Sequence, residues 1–234
     1  MTVKLKRAVK PTKKPLPDWR VVCRQLAQKQ AMAEARGAWH VKADKAIGFN
    51  HRWEHVQSVV SLALRLAAET GADPEIVEAS AWLHDIRKGA ANHGVAGAKE
   101  AKKILDQTNF PPEKVGAVVD AISRHVGFYR AADAPPLEPV ECAVLWDADK
   151  LSKLGAQALA YNLSMNYLRG LDLAQRRRSM LEFTQAVLSR TVTSMNTVPA
   201  RQIAEKRFQV MLMVLAAWEQ EEEALVIEDL RLAS

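Results

Sequence analysis

Residues 73–88 run Asp73-Pro74-Glu75-Ile76-Val77-Glu78-Ala79-Ser80-Ala81-Trp82-Leu83-His84-Asp85-Ile86-Arg87-Lys88. Asp73 reads as a helix N-cap, Pro74 suits the first helical position, and Glu75 places an acid in the first turn. Ile76, Ala79 and Trp82 follow at helical spacing, which predicts a helix ending near Ile86. His84 and Asp85 therefore close an apolar run from Ala79 to Leu83, where an unpaired carboxylate is costly to bury.

The same signals recur on both sides. Upstream, Val56, Val59, Val60, Ala63, Leu66 and Ala67 make one face of a helix over 52–70, which Gly71 stops. Residues 18–45 read as one or two further helices. Downstream, Asn92 or His93 opens a helix to about Gln107, and Pro111-Pro112-Glu113 opens another to His125. A loop over 126–138 follows, then a helix from near Pro139 and two longer ones over about 172–194 and 199–224. Only 20 of 234 residues are Gly or Pro, aromatics are 6%, and alternating β-branched runs are nearly absent. The expectation is an all-α fold, not a sandwich or barrel.

With 48% apolar and 26% charged residues, the chain has the composition of a globular protein with a real core. Its longest nearly charge-free apolar stretch, Phe208 to Trp218, is 11 residues, against the roughly 20 that cross a membrane. Two cysteines, Cys23 and Cys142, make neither a disulfide framework nor a metal motif. With no apolar leader after Met1, a cytoplasmic location is expected. Residues 1–15 hold six cations and no acid, leaving 27 of the 33 Lys and Arg against 27 Asp and Glu elsewhere. The net charge of +6 thus belongs to an arm over 1–17, read as a disordered solubilising extension or as a contact for nucleic acid. A core over 18–170 and C-terminal helices over 171–234 complete the expected organisation. Arg176-Arg177-Arg178 and Glu219 to Glu223 read as solvated faces.

His55 falls in the first turn of one predicted helix, His84-Asp85 at the end of the next, His93 at the start of the third, and His125 at the end of the fourth. Asp149 lies in the fifth, in Leu145-Trp146-Asp147-Ala148-Asp149-Lys150. Neighbouring bundle helices run antiparallel, so starts lie beside ends and all six groups can meet at one end of the bundle. Imidazole and carboxylate donors without thiolate suit Mn, Fe, Co or Mg.

This ordered pattern resembles the HD-domain metal-dependent phosphohydrolases, in particular their small bacterial nucleotide-hydrolysing branch. Arg52-Trp53-Glu54-His55-Val56 is similar to the first-histidine helix, Ala81 to Lys88 to the His-Asp helix, and Asp147-Ala148-Asp149-Lys150-Leu151 to the last-aspartate helix. Leu154-Gly155-Ala156 and the stretch Thr197 to Arg207 look like that branch as well. Ser152 departs from it where an acid is common, and Arg87 where a small or apolar residue is.

The resemblance implies an HD-domain helical bundle with additional C-terminal helices and a divalent ion (Mn, Co, Mg, Ni or Fe), one or two per site. His55, His84, Asp85 and Asp149 match the metal ligands, and His93 and His125 match positions completing a second site, with Asp85 bridging. His93 is also a candidate phosphate contact and His125 a candidate proton donor. Asp85 and Lys88 are the expected catalytic residues. Lys88, Arg52, Arg124 and Lys150 are the expected substrate contacts. The implied function is hydrolysis of a phosphate ester or anhydride in a small metabolite, a nucleotide above all. An HD-type di-iron oxygenase shares the six-ligand arrangement, and an RNA-binding helical module using the basic arm is a non-enzymatic alternative. The apolar last helix, with Phe208, Met211, Leu215 and Trp218, fits either burial in the bundle or a homodimer interface.

Overall fold

The computed structural model describes residues 15–232 except 43, 132, 166 and 167, with side chains through Glu223; most of the basic arm, residues 1–14, lies outside the described residues. Among the described residues the chain is helical and has no strand. The helices are α1 (Trp19–Ala38), α2 (His51–Thr70), α3 (Pro74–Leu83), α4 (His93–Leu105), α5 (Val115–Arg124), α6 (Val140–Leu151), α7 (Ala156–Leu163), α8 (Leu173–Phe183), α9 (Ser189–Thr193) and α10 (Val198–Leu232). A short 3-10 turn over Pro112–Lys114 leads into α5, and a π-helical turn over Thr184–Leu188 joins α8 to α9.

Local chemistry sets most boundaries. The Asp73 side chain accepts from the amides of Glu75 and Ile76, Asn92 caps α4 through Val95 N–H, and Gly71 ends α2 at φ +77°. Two expectations change. α3 stops at Leu83, not Ile86, so His84 and Asp85 sit in the turn that follows it. The helix α7 lies between the helix expected from near Pro139 and that expected over 172–194, where no separate helix is expected.

α6 is the axis of the fold. Every residue from Cys142 to Leu151 is buried, because α2, α3 and α5 pack around it and α10 closes its remaining side. An all-round buried helix is ordinarily apolar, yet this one carries Asp147, Asp149 and Lys150, so each of those charges needs partners. Asp147 is fully buried. Its Oδ1 accepts from the backbone and side-chain amides of Asn196 at 2.8 and 2.9 Å, and its Oδ2 from Thr197 N–H and Oγ1–H, both at 2.8 Å. This is what fastens the start of α10 to the core. Asn196 Oδ1 in turn accepts from Arg130 and from Leu137 N–H, tying down the 126–139 loop.

Arg177 also departs from expectation. It is 5% exposed and pairs with Glu219 at 2.9 Å and Glu222 at 3.0 Å, joining α8 to α10. No described helix is long and apolar enough to cross a membrane.

Replacing Asp147 by Ala strands the donors of Asn196 and Thr197 inside the fold. The expected loss is about 3 kcal/mol of unfolding free energy, measured by denaturant titration at neutral pH. A loss under about 1 kcal/mol would show that Asp147 does not anchor α10.

Candidate metal centre

Five helix ends build one cluster. Asn50 caps α2 by accepting from Trp53 N–H, which places His55 one turn inside the helix and facing the core side. His84 and Asp85 follow α3, His93 begins α4, His125 caps α5, and Asp149 sits near the end of α6. α4 can lie close to α5 because Gly94 and Gly97 face it. A Cβ at Gly94 would fall 2.9 Å from the Ser123 carbonyl, a contact no side chain accepts without movement.

Side-chain atoms of His55, His84 and Asp149 lie within 4.8 Å of one another, as do those of Asp85, His93 and His125. Asp85 stands between the two groups. Its Oδ2 is 3.6 Å from His55 Nε2 and 3.5 Å from His84 Nε2, while its Oδ1 is 3.6 Å from His125 Nε2 and 3.9 Å from His93 Nε2. All six expected ligand residues are thus brought together.

The tautomers of three histidines follow from fixed acceptors. Nδ1 of His84 lies 2.8 Å from the Ala81 carbonyl and Nδ1 of His125 lies 2.6 Å from the Ile122 carbonyl. A carbonyl can only accept, so both nitrogens carry the proton. Ser152 Oγ donates to the Asp149 carbonyl at 2.6 Å and therefore accepts from His55 Nδ1 at 3.0 Å. Each neutral ring then turns a bare Nε2 lone pair inward. The Nε2 atoms of His55 and His84 face each other at 3.2 Å, and the buried Nε2 of His125 has no hydrogen-bond partner. Opposed lone pairs at that distance repel unless a cation lies among them, so the donor set fits a divalent metal.

Electrostatics point the same way. Burial is the largest influence on His55 and pushes its imidazole down to about 3; burial, with Lys88 and His125 nearby, takes His93 to about 4. Burial would raise both carboxyls, but the imidazoles around Asp85, and Lys150 and Lys153 around Asp149, hold them well below the usual carboxylate range. His55, His93, Asp85 and Asp149 are therefore deprotonated at neutral pH, as metal binding demands.

The other expected residues divide. Arg52 pairs with Asp85 and, at 2.8 Å, with Glu34. Lys88 Nζ lies 3.2 Å from Asp85 Oδ1 and 3.5 Å from His93 Nε2, with its side chain 40% exposed. Lys150 is buried, pairs with Asp149 and donates to the His125 carbonyl at 2.6 Å, so its ammonium is enclosed and not open to a substrate. Arg124 is not brought in at all. Its guanidinium is engaged by Asp120, the Glu138 carbonyl and Cys142 Sγ. Lys153, which pairs with Asp149 and is lowered by burial to about 8, was missed. The available signal was its place one turn beyond Asp149 on the same face.

A cleft of about 960 Å³ opens beside the cluster. Its lining includes the cations Arg52, Arg65, Lys88, Lys153 and Arg207 against the single carboxylate Glu54, with Phe49, Phe128, Tyr161 and Phe183 in its walls.

Residues 52–154 match the model of the HD domain family. The chain is 28% identical over 174 residues to the YpgQ protein of Bacillus subtilis, covering 73% of this chain and 84% of that one. The crystal structure of Bacillus subtilis YpgQ in complex with ADP is similar in fold, with a TM-score of 0.60 at 22% identity over 86% of this chain and 97% of that one. An HD-superfamily hydrolase from Bacillus thuringiensis has a TM-score of 0.59 at 23% identity, covering 86% and 99% of the two chains.

Two outcomes follow from the geometry. Ser152→Ala removes the acceptor that orients His55, and metal affinity is expected to fall about 10–100-fold in a competition titration; an unchanged affinity would show that Ser152 has no such role. For the metal-free protein, an unfolded imidazole titrates near 6.5, well above His55 and His93 in the fold. Between those values the unfolded chain binds protons that the native chain does not, so stability rises with pH. Tm in chelator should therefore fall steadily from pH 7 to 4.5, with Asp85 and Asp149 adding to the loss only below about pH 4. A level Tm across that range would contradict the assignment of neutral imidazoles.

Proposed function

We propose that this chain, an HD-domain protein, uses its metal-dependent phosphohydrolase fold to cleave a phosphate ester or anhydride of a small metabolite, with nucleotides as the substrate class. One observation carries the reading: a cluster of four imidazoles and two carboxylates opens beside a cleft whose lining has five cations and one acid. Such a lining, with cations in excess, attracts an anion.

His55, His84, Asp85 and Asp149 would hold one ion, and His93 and His125 with Asp85 a second. When bound, a divalent ion supplies Lewis acidity, which brings the pKa of a water from about 15.7 toward 7 and offsets charge on phosphoryl oxygens. The chain's own residues supply the rest. Lys88, part-exposed beside Asp85, contacts phosphoryl oxygens as a point charge. Arg52, clamped between Glu34 and Asp85, fixes the Asp85 carboxylate and presents its edge to the cleft. Lys150 holds Asp149 and the end of α5 in register and acts as a positioning residue. The nucleotide assignment draws support from the ADP complex of YpgQ, which shares this fold, and from the aromatic walls of the cleft, which suit a planar ring.

The test is phosphate or pyrophosphate release from a nucleotide panel with Mn, Co, Mg and Ni. Asp85→Ala should lose stoichiometric metal and at least about a thousandfold in kcat, and Lys88→Ala should raise KM about tenfold. Release that survives Asp85→Ala would end the proposal. So would no release despite bound metal, and oxygen consumption by the iron-loaded protein would then favour the oxygenase.

A further inference from the structure

Arg207 on α10 has no part in the chemistry above, yet its surroundings are unusual. Its aliphatic stem crosses Gly155 at the turn into α7. A Cβ there would lie 3.2 Å from Arg207 Cγ, and the φ of +96° at Gly155 also favours glycine. The passage is therefore cut for this side chain. Arg207 Nη1 donates to the Leu151 carbonyl at 2.7 Å, at the end of α6. The residue is part-buried, and among the described residues it makes no ion pair with a carboxylate.

The charge nearest in effect has the same sign. Burial lowers the Arg207 guanidinium below its ordinary range, and Arg65 lowers it further. Arg65 is partly neutralised, through its pair with Glu69 at 3.1 Å on an exposed face. Arg207 faces, among the described residues, the partial negative charge at the C-terminus of α6. A guanidinium has five N–H donors in a rigid fork, and one hydrogen bond to Leu151 leaves most of them without a partner. Both arginines line the cleft. A part-buried cation beside a like charge is costly, and an anion entering the cleft would relieve both the repulsion and the unmet donors.

Arg207 reaches the end of α6, two residues past Asp149, and Arg65 lies farther out along the cleft on α2. Arg65 stands ten residues along α2 from His55, about 15 Å at the helical rise. We propose that Arg207, with Arg65 beside it, forms a second anion subsite that binds a phosphoryl group of the substrate other than the one at Lys88. Arg207 is on this view a specificity-determining residue, selecting substrates that carry more than one anionic group. The inference rests on the phosphohydrolase reading of the cleft, and it adds where the unreacting part of the substrate is held.

The experiment is calorimetric titration of the full-length, chelated protein with inorganic pyrophosphate at low salt, which requires neither metal nor turnover. Arg207→Gln keeps an amide donor for the Leu151 carbonyl and drops the charge, so a role confined to closing α6 would survive it. Expected are a loss of about tenfold or more in pyrophosphate affinity for Arg207→Gln and recovery to within about threefold in Arg207→Lys. Arg65→Gln should lose about threefold, which also tests the subsite should the Arg207→Gln protein not fold. Wild-type affinity in folded Arg207→Gln, or no pyrophosphate binding by the wild type, would overturn the proposal. Failure of the nucleotide panel with this titration positive would instead overturn only the hydrolytic reading.

Discussion

The structure depends on a helix that is buried on all sides and still charged. α6 places Asp147, Asp149 and Lys150 in the interior, where an unpaired ion costs several kcal/mol. Each is answered by a different part of the chain. Asp147 is met by four donors from Asn196 and Thr197, Asp149 by Lys150 and Lys153, and Lys150 also by the His125 carbonyl. The first set docks the C-terminal helices, the second orients a cluster carboxylate, and the third fixes the end of α5. Fold and site therefore share one helix. A change to the pairing of one charge is felt by the others.

Precision at the cluster comes from backbone groups. Ala81 and Ile122 each present a carbonyl to an Nδ1 proton three residues further on, so His84 and His125 are aimed by the turns that end their own helices. His55 is instead aimed across the bundle by Ser152. Helix ends suit this purpose because their last carbonyls lack intrahelical partners. Metal-competent side chains at such ends gain orientation from groups that would otherwise need water.

The fold was largely legible in the sequence. The Asp73 cap, the Gly71 stop and the apolar spacing of α2 and α3 are local signals, and the structure follows them to within a few residues. The six cluster residues were legible because each lies at a helix end, and antiparallel packing brings such ends together. Residues whose role depends on what lies opposite were not. Arg177 and Glu219 each look like part of a solvated charge run, and only the packing of α8 on α10 makes them a pair. Arg124 follows the pattern of a site cation, but Asp120, one turn before it, and the Glu138 carbonyl turn it away.

What the sequence determined by itself was the set of helices, their ends and the residue types stationed there, because capping and periodicity act within a few residues. Tertiary structure alone decided which charges are buried, that Ser152 serves the cluster, and that Arg207 faces the cleft with no carboxylate partner among the described residues. The physical reason is that burial and ion pairing are properties of groups distant in the chain. Desolvation depends on every element packed around a charge, and no window of sequence contains them all.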